Sequence, residues 1–185
     1  MKRLTPLIAL LLISLYGAAQ TPVANRVKAV VRRLPSQAEV VAKYTDVGRH
    51  CLYYTQRSRL YRYDVRNNLR EEVTFASRAY TSILSTWLSD DGTGFFIAVD
   101  RKGLVPFYLD DGQELWFYNS HTRTAKLVAQ GFFISHAHDR ITVRRASRCL
   151  NPSASRERQR WMTCDHQYDN NGVPLGKSDE YLMTE

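Results

Sequence analysis

The sequence lacks several short motifs by which common enzyme classes are recognised. It has no Cys-x-x-Cys pair, so a thioredoxin-type redox site has no support, and no Gly-x-Ser-x-Gly, the turn that presents the nucleophile of α/β-hydrolases. After the first twenty residues it has no apolar run of the about 20 residues that a membrane-spanning helix needs. We therefore expect no transmembrane segment in the mature chain, and we favour a binding role over catalysis.

The first nineteen residues have the three parts of a secretory signal peptide. Lys2 and Arg3 form a positive start, residues 7–16 form a short apolar core, and residues 17–19 supply the small side chains of a cleavage site. We predict cleavage near Ala19 and a secreted or periplasmic protein. Removal of these 19 of the 185 residues leaves 166, and loss of the two cations lowers the net charge from +8 to +6.

Cysteine is scarce, with three residues in the chain. Export exposes thiols to oxidising conditions, and an odd number cannot all pair within one molecule. Two alternatives remain open. Either Cys149 and Cys164 form a disulfide between neighbouring strands and Cys51 stays buried and free, or all three are small buried hydrophobic side chains.

The mature chain divides into a helical segment at residues 20–48 and a β domain at residues 49–185. In the helical segment, apolar residues recur at helix spacing until Pro35, and Ser36 is placed to cap a second short helix through Ala42. From Cys51 onward, aromatic and β-branched runs of five to eight residues alternate with turn residues. This pattern predicts a mainly all-β fold, an antiparallel meander of about ten strands.

Two Asp-Gly pairs predict hairpin turns, because both central positions of the favoured turn need positive φ. Asp91-Gly92 would join "ILSTWLS" to "GFFIAVD", and Asp111-Gly112 would join "VPFYL" to "ELWFYNS". The chain also contains an internal echo, since residues 51–73 align without a gap on residues 106–128. In that alignment Asp64 coincides with Asn119 at the end of a strand.

The stretches "LYRYDVRNN" and "ELWFYNSHTRTAKLVAQG" resemble blade strands of the TolB-like, WD-type β-propellers. "LSDDGTGFFIAVD" is similar to the SPDG turn of those blades, without its proline. The resemblance covers residues 51–143 and implies a scaffold for binding, with no catalytic residues to transfer. Propellers have at least four blades of about 40 to 45 residues, and residues 49–185 supply about three. Blades completed by a second copy, a sandwich and a small barrel therefore all remain open.

The stretch "SHAHDR" is the candidate for metal chemistry. If residues 132–137 form a strand, His136 and His138 point to the same face and share a metal such as zinc. A third ligand would come from His121, His166, Asp139 or Asp165. The alternative is a polar strand end and turn that faces water.

Charge is segregated near the C-terminus. Residues 140–160, here the arginine hairpin, contain one acid and seven arginines: Arg140, Arg144, Arg145, Arg148, Arg156, Arg158 and Arg160. The following residues 165–185 contain five acids and one lysine. Arginine favours bidentate contact with phosphate, sulfate or carboxylate, so an anionic glycan, a lipid head group or an acidic protein would fit this surface. The competing interpretation is that the arginines pair with the acidic tail.

Together these features predict an exported, non-enzymatic β-rich binding protein whose contact surface is the arginine hairpin. A metal-dependent hydrolase that uses His136 and His138 is one alternative. A structural component of a cell-envelope assembly, including a homo-oligomer, is the other. Nucleic acid is a poor partner here, because the compartment is wrong and no stacking platform is defined.

Overall fold

The computed structural model describes residues 23–45, 49–76, 80–101, 112–155 and 158–183. The predicted signal peptide, Arg156 and the predicted strand "VPFYL" lie outside the described residues. Residues 23–33 are helical (α1), and every strand pairing is antiparallel. The predicted fold class, a mainly antiparallel β protein with a short helical N-terminal segment, is confirmed.

Thirteen strands occur in the described part of the chain, three more than the sequence suggested. They are β1 (Ala38–Tyr44), β2 (Cys51–Gln56), β3 (Arg59–Asp64), β4 (Leu69–Glu72), β5 (Tyr80–Leu88), β6 (Gly94–Arg101), β7 (Gln113–Asn119), β8 (Thr124–Gly131), β9 (Phe133–Ala137), β10 (Arg140–Cys149), β11 (Trp161–Asp169), β12 (Pro174–Lys177) and β13 (Tyr181–Leu182).

The strands form three sheets, each built on a meander of four consecutive strands. Sheet A has the order β1-β2-β3-β4, sheet B the order β5-β6-β7-β8, and sheet C the order β12-β11-β10-β9, with β13 also paired to β11. No sheet closes on itself among the described strands. The chain divides into two compact units, Met1–Val73 with sheet A and Thr74–Glu185 with sheets B and C. This division falls inside the predicted β domain.

The predicted second helix through Ala42 is wrong, because these residues belong to β1. Val40 and Val41 are β-branched and suit a pleated strand, and β1 pairs with β2 from Ala38 opposite Gln56 to Tyr44 opposite Cys51. This pairing covers β2, whose residues 51–54 are all buried. The tertiary gain from that burial outweighs the weak helical pattern of a short segment.

The internal echo is real for the second and third strands of each repeat. The Oδ1 atom of Asp64 accepts hydrogen bonds from the backbone N–H groups of Arg66 (2.9 Å) and Asn67 (3.1 Å). The Oδ1 atom of Asn119 accepts the equivalent bonds from residues 121 (2.9 Å) and 122 (3.0 Å). The first strand of the second repeat lies outside the described residues, and the described β7 is paired on both edges, with β6 and β8.

The pairing of β5, β6 and β7 bears on the two hairpins predicted at Asp-Gly pairs. The one at Asp91-Gly92 is confirmed as the turn that joins β5 to β6, but Gly92 (φ 67°) has positive φ there and Asp91 does not. The one at Asp111-Gly112 involves "VPFYL", which lies outside the described residues, and the described β7 pairs with β6 and β8. Local turn chemistry identified both Asp-Gly pairs equally well, but it does not specify which strand is the neighbour.

In the second unit, sheets B and C share one apolar core. Sheet B contributes Phe96, Ala98, Leu115 and Ala129, and sheet C contributes Ile134, Ile141 and Val143. The chain passes from one sheet to the other at Gly131, where a Cβ atom would lie 2.5 Å from the carbonyl oxygen of Arg144. Glycine therefore allows β8 to end against β10, which places the arginine hairpin beside the core.

Candidate functional site

The arginine hairpin consists of β10 and of residues 150–160, the arginine loop, which leads into β11. Alternation along β10 directs Ile141 and Val143 into the core, so Arg140, Thr142 and Arg144 lie on the outer face of sheet C. A bulge between Ala146 and Arg148 interrupts the alternation before the loop.

Arg144 is the centre of a cluster on this outer face. It lies directly opposite Phe133 of β9 and Asp165 of β11. Its guanidinium lies 5.5 Å from the ring centroid of Phe133 and 5.5 Å from that of Tyr181. Its Nε and Nη2 atoms donate to Asp165 Oδ1 (2.8 Å) and Oδ2 (3.2 Å). We call these four residues the aromatic anchor.

The aromatic anchor contains an ion pair between Arg144 and Asp165. Burial on its own raises the pKa of Asp165, but hydrogen bonds from Arg144 and Tyr181 and the charge of Arg144 outweigh it, so the pKa lies below its ordinary value. The Tyr181 hydroxyl donates to Asp165 Oδ1 at 2.8 Å. The carboxylate stays ionised at neutral pH and fixes the guanidinium between the two rings.

The other described arginines of β10 also have partners within the chain. Arg145 Nε donates to the Gln130 carbonyl oxygen at 2.6 Å. Arg148 Nε donates to Glu180 at 3.0 Å, and Arg140 makes a longer contact of 3.4 Å with Gln167. Pairing with the acidic tail, the competing interpretation of the charge pattern, therefore holds for Arg144 and Arg148.

Arg158 and Arg160 differ from the arginines of β10. Both are exposed, and neither side chain has a hydrogen bond or ion pair among the described residues. Their backbone is held by Asn151, whose side chain accepts from the Arg160 N–H (2.6 Å) and donates to the Arg158 carbonyl (2.8 Å). Gln159 donates to two loop carbonyls, at 3.4 Å each. These hydrogen bonds hold the described part of the loop in place, and the guanidinium groups of Arg158 and Arg160 extend from it at exposed positions.

The expectation that His136 and His138 share a face is wrong. β9 ends at Ala137, and His138 and Asp139 form the turn to β10 with φ 49° and 59°. His136 stacks on Trp87 with centroids 5.1 Å apart and donates to Asn170 at 2.8 Å. In the described part of the chain, no three His, Cys, Asp or Glu side chains are grouped to hold a metal ion. The zinc and hydrolase hypotheses gain no support here.

The Cys149–Cys164 disulfide, one of the two open alternatives, does not form in this structure, since none of the three cysteines is in a disulfide. The register pairs Cys149 with Trp161 and Cys164 with Arg145. Trp161 lies three residues from Cys164 along β11, about 10 Å, whereas disulfides need Cα atoms within about 7 Å. The second alternative fits Cys51 and Cys164, which are buried, but Cys149 is only partly buried. Burial raises the pKa of Cys51, although Arg62 opposes the shift.

The sequence indicated the arginines but did not reveal Phe133 and Tyr181 as their neighbours. Phe133 and Tyr181 are 48 residues apart in sequence (181 − 133), and only the pairing of β9, β10, β11 and β13 brings the anchor together. The tail of the chain forms the short strand β13. Its partner strand, and hence the place of Tyr181, follows from pairing that composition does not encode.

Comparisons with known proteins do not place the chain in a family. No family model matches it, and no curated protein matches it. A solved structure titled "Crystal Structure of Mitotic Checkpoint Complex" contains a similar chain, with a TM-score of 0.35 and 9% sequence identity. The match covers 80% of this chain and 45% of that one. A likeness at this level supports neither a family nor a function, so the propeller resemblance stays a prediction.

The sequence led us to expect no transmembrane segment in the mature chain. Within the residues that the structure describes, no helix is both long and apolar enough to cross a membrane.

Proposed function

We propose that the protein is an exported, non-enzymatic binding protein of mainly β structure that holds an anionic partner at the arginine loop. The observation that carries the proposal is the pair of exposed guanidinium groups of Arg158 and Arg160, which have no hydrogen-bond or ion-pair partner among the described residues and whose backbone is held by Asn151. Export rests on the signal-peptide pattern of residues 1–19.

Hydrogen bonds that hold the backbone at Arg158 and Arg160 favour binding, because less conformational freedom is lost there when the partner arrives. Guanidinium groups offer a planar set of donors that fits sulfate, phosphate and carboxylate. Arg144, Arg145 and Arg148 already donate to Asp165, Gln130 and Glu180, so they contribute shape and background charge. Arg158 and Arg160 are the arginines whose removal tests the proposal.

The test is the double variant Arg158→Gln/Arg160→Gln in the full mature chain. Its matched control is Arg123→Gln/Arg140→Gln, which removes the same two charges from exposed positions. Arg140 lies nine residues before Cys149 on β10, about 30 Å from the loop. Binding is measured to a sulfated polysaccharide, to phosphatidylglycerol vesicles and to polyglutamate, each at low and high salt.

We expect the loop variant to bind at least one of these probes about tenfold more weakly than the control, with most of the difference lost at high salt. The probe that responds identifies the class of anion. Equal affinity of the two variants would show that only net charge matters, and the loop would not be the site. Absence of binding to all three probes by the unsubstituted protein would remove the proposed function.

A further inference from the structure

We infer that the partner is a protein, and that it binds with an acidic segment at the arginine loop and an apolar side chain on the aromatic anchor. This inference rests on the proposed function and names the partner of the same surface.

The aromatic anchor has the composition of the centre of a protein interface. Phe133 is 45% exposed and Tyr181 is 36% exposed, and the Arg144 side chain between them is 36% exposed. Aromatic residues and arginine are enriched among the residues that dominate binding energy in protein complexes. Exposed aromatic rings beside an arginine therefore fit a partner that offers its own apolar side chain.

The anchor is also rigid before any partner arrives. Asp165 holds the guanidinium through two hydrogen bonds, and Tyr181 donates to the same carboxylate. Phe133 of β9 lies directly opposite Arg144 of the adjacent strand β10. These side chains are already ordered, so docking against them costs little side-chain entropy.

The distribution of charge distinguishes a protein from the other anionic partners. Asp165 of the anchor is paired with Arg144, and Glu180, the neighbour of Tyr181 in sequence, is paired with Arg148, so this surface carries both signs of charge. A uniformly anionic bilayer or sulfated glycan would meet these carboxylates as well as the arginines. A protein segment is able to place acids opposite the loop and an apolar residue opposite the anchor.

The spacing between the two regions sets the length of the segment. Arg144 is six residues from Leu150, where the arginine loop begins, which corresponds to about 20 Å of strand. An extended chain covers that span with about six residues. The partner segment should therefore carry its acidic run about six residues from its apolar side chain.

Two synthetic peptides test this inference on the full mature chain. Both contain a run of glutamates followed by a serine spacer of this length, and they end in either tryptophan or alanine. We expect the tryptophan peptide to bind about tenfold more tightly than the alanine peptide. Phe133→Ala should abolish that preference, whereas Arg158→Gln/Arg160→Gln should weaken both peptides.

Leu127→Ala is the matched control, because it removes an exposed apolar side chain of sheet B and should keep the preference. Tyr181→Phe keeps the ring but loses its hydroxyl bond to Asp165, and it should retain most of the preference. Equal binding of the two peptides to the unsubstituted protein would overturn the inference and leave anion binding intact. Stronger binding of Phe133→Ala to the tryptophan peptide would also overturn it.

Discussion

At the scale of single residues, the arginines of the hairpin differ by their neighbours. Arg144 has a carboxylate opposite it and rings on either side, whereas Arg158 and Arg160 extend from a loop without partners among the described residues. An exposed ion pair contributes little to stability, but a partly buried pair with two hydrogen bonds contributes more. Arg144 is thus a part of the folded frame, and the loop arginines remain available for binding.

This difference gives a pH dependence at Asp165. Its pKa in the folded protein lies below the ordinary value of 3.8, so the pair contributes stability above that value and loses it as pH falls through the folded pKa. We expect Asp165→Asn to lower the free energy of unfolding at about pH 7 by about 1 to 2 kcal/mol, since Arg144 is still 36% exposed. At about pH 3 the deficit should shrink.

Urea unfolding followed by tryptophan fluorescence measures this effect. All three tryptophans belong to the second unit, Thr74–Glu185, which also contains Asp165. Asp179→Asn, which removes an exposed carboxylate of the same tail, is the control and should change stability little at either pH. A deficit for Asp165→Asn that is equal at both pH values would contradict the assigned charge state of the pair.

Sequence reasoning located the arginines because charge is visible in composition. It did not separate Arg144 from Arg158, because that distinction depends on which residues lie opposite across two strand pairings. Phe133 shows the same limit, since "FFISHA" gave a strand but not its neighbours. The fold class was predictable from aromatic and β-branched runs, which record burial along one strand at a time.

At the scale of elements, strand register decides which predictions hold. The β9-β10 turn consists of His138 and Asp139 at positive φ, a geometry that joins antiparallel strands with two residues. Because β9 ends at Ala137, His138 does not lie on the strand face that it was expected to share with His136. On β10, the register against β11 separates Cys149 from Cys164 in the same manner.

The register predicts the redox state of the purified protein. We expect the mature chain, denatured without reductant, to contain three reactive thiols, because the Cα atoms of Cys149 and Cys164 are too far apart to bridge. Thiol titration with and without prior reduction measures this number. A single thiol before reduction would show that β10 and β11 pair in a different register.

The segment before β1 shows why local pattern is weakest at element boundaries. Residues 23–33 are helical as predicted, but the apolar spacing did not reveal where the helix gives way to β1. Pro35 marks that place in the sequence, and the residues that follow pair with β2. A strand that completes a sheet gains buried area and hydrogen bonds, which short-range helical spacing does not match.

At the scale of the whole molecule, the described residues form three antiparallel sheets, each built on a four-stranded meander, in two compact units. The mature chain is predicted to carry +6, and its sequence concentrates the same excess in residues 140–160. The strands of sheet C place part of this charge in ion pairs and leave the loop arginines exposed. A binding surface of this kind depends on where charges lie and not on their total.

Hydrogen–deuterium exchange of the full mature chain, with and without the tryptophan-bearing acidic peptide, tests the central claim most directly. We predict slowed exchange in residues 150–160 and in β9 and β13, which flank the aromatic anchor, with no change in residues 23–73. Protection confined to residues 23–73, or unchanged exchange across the arginine loop under saturating peptide, would contradict the proposed contact surface.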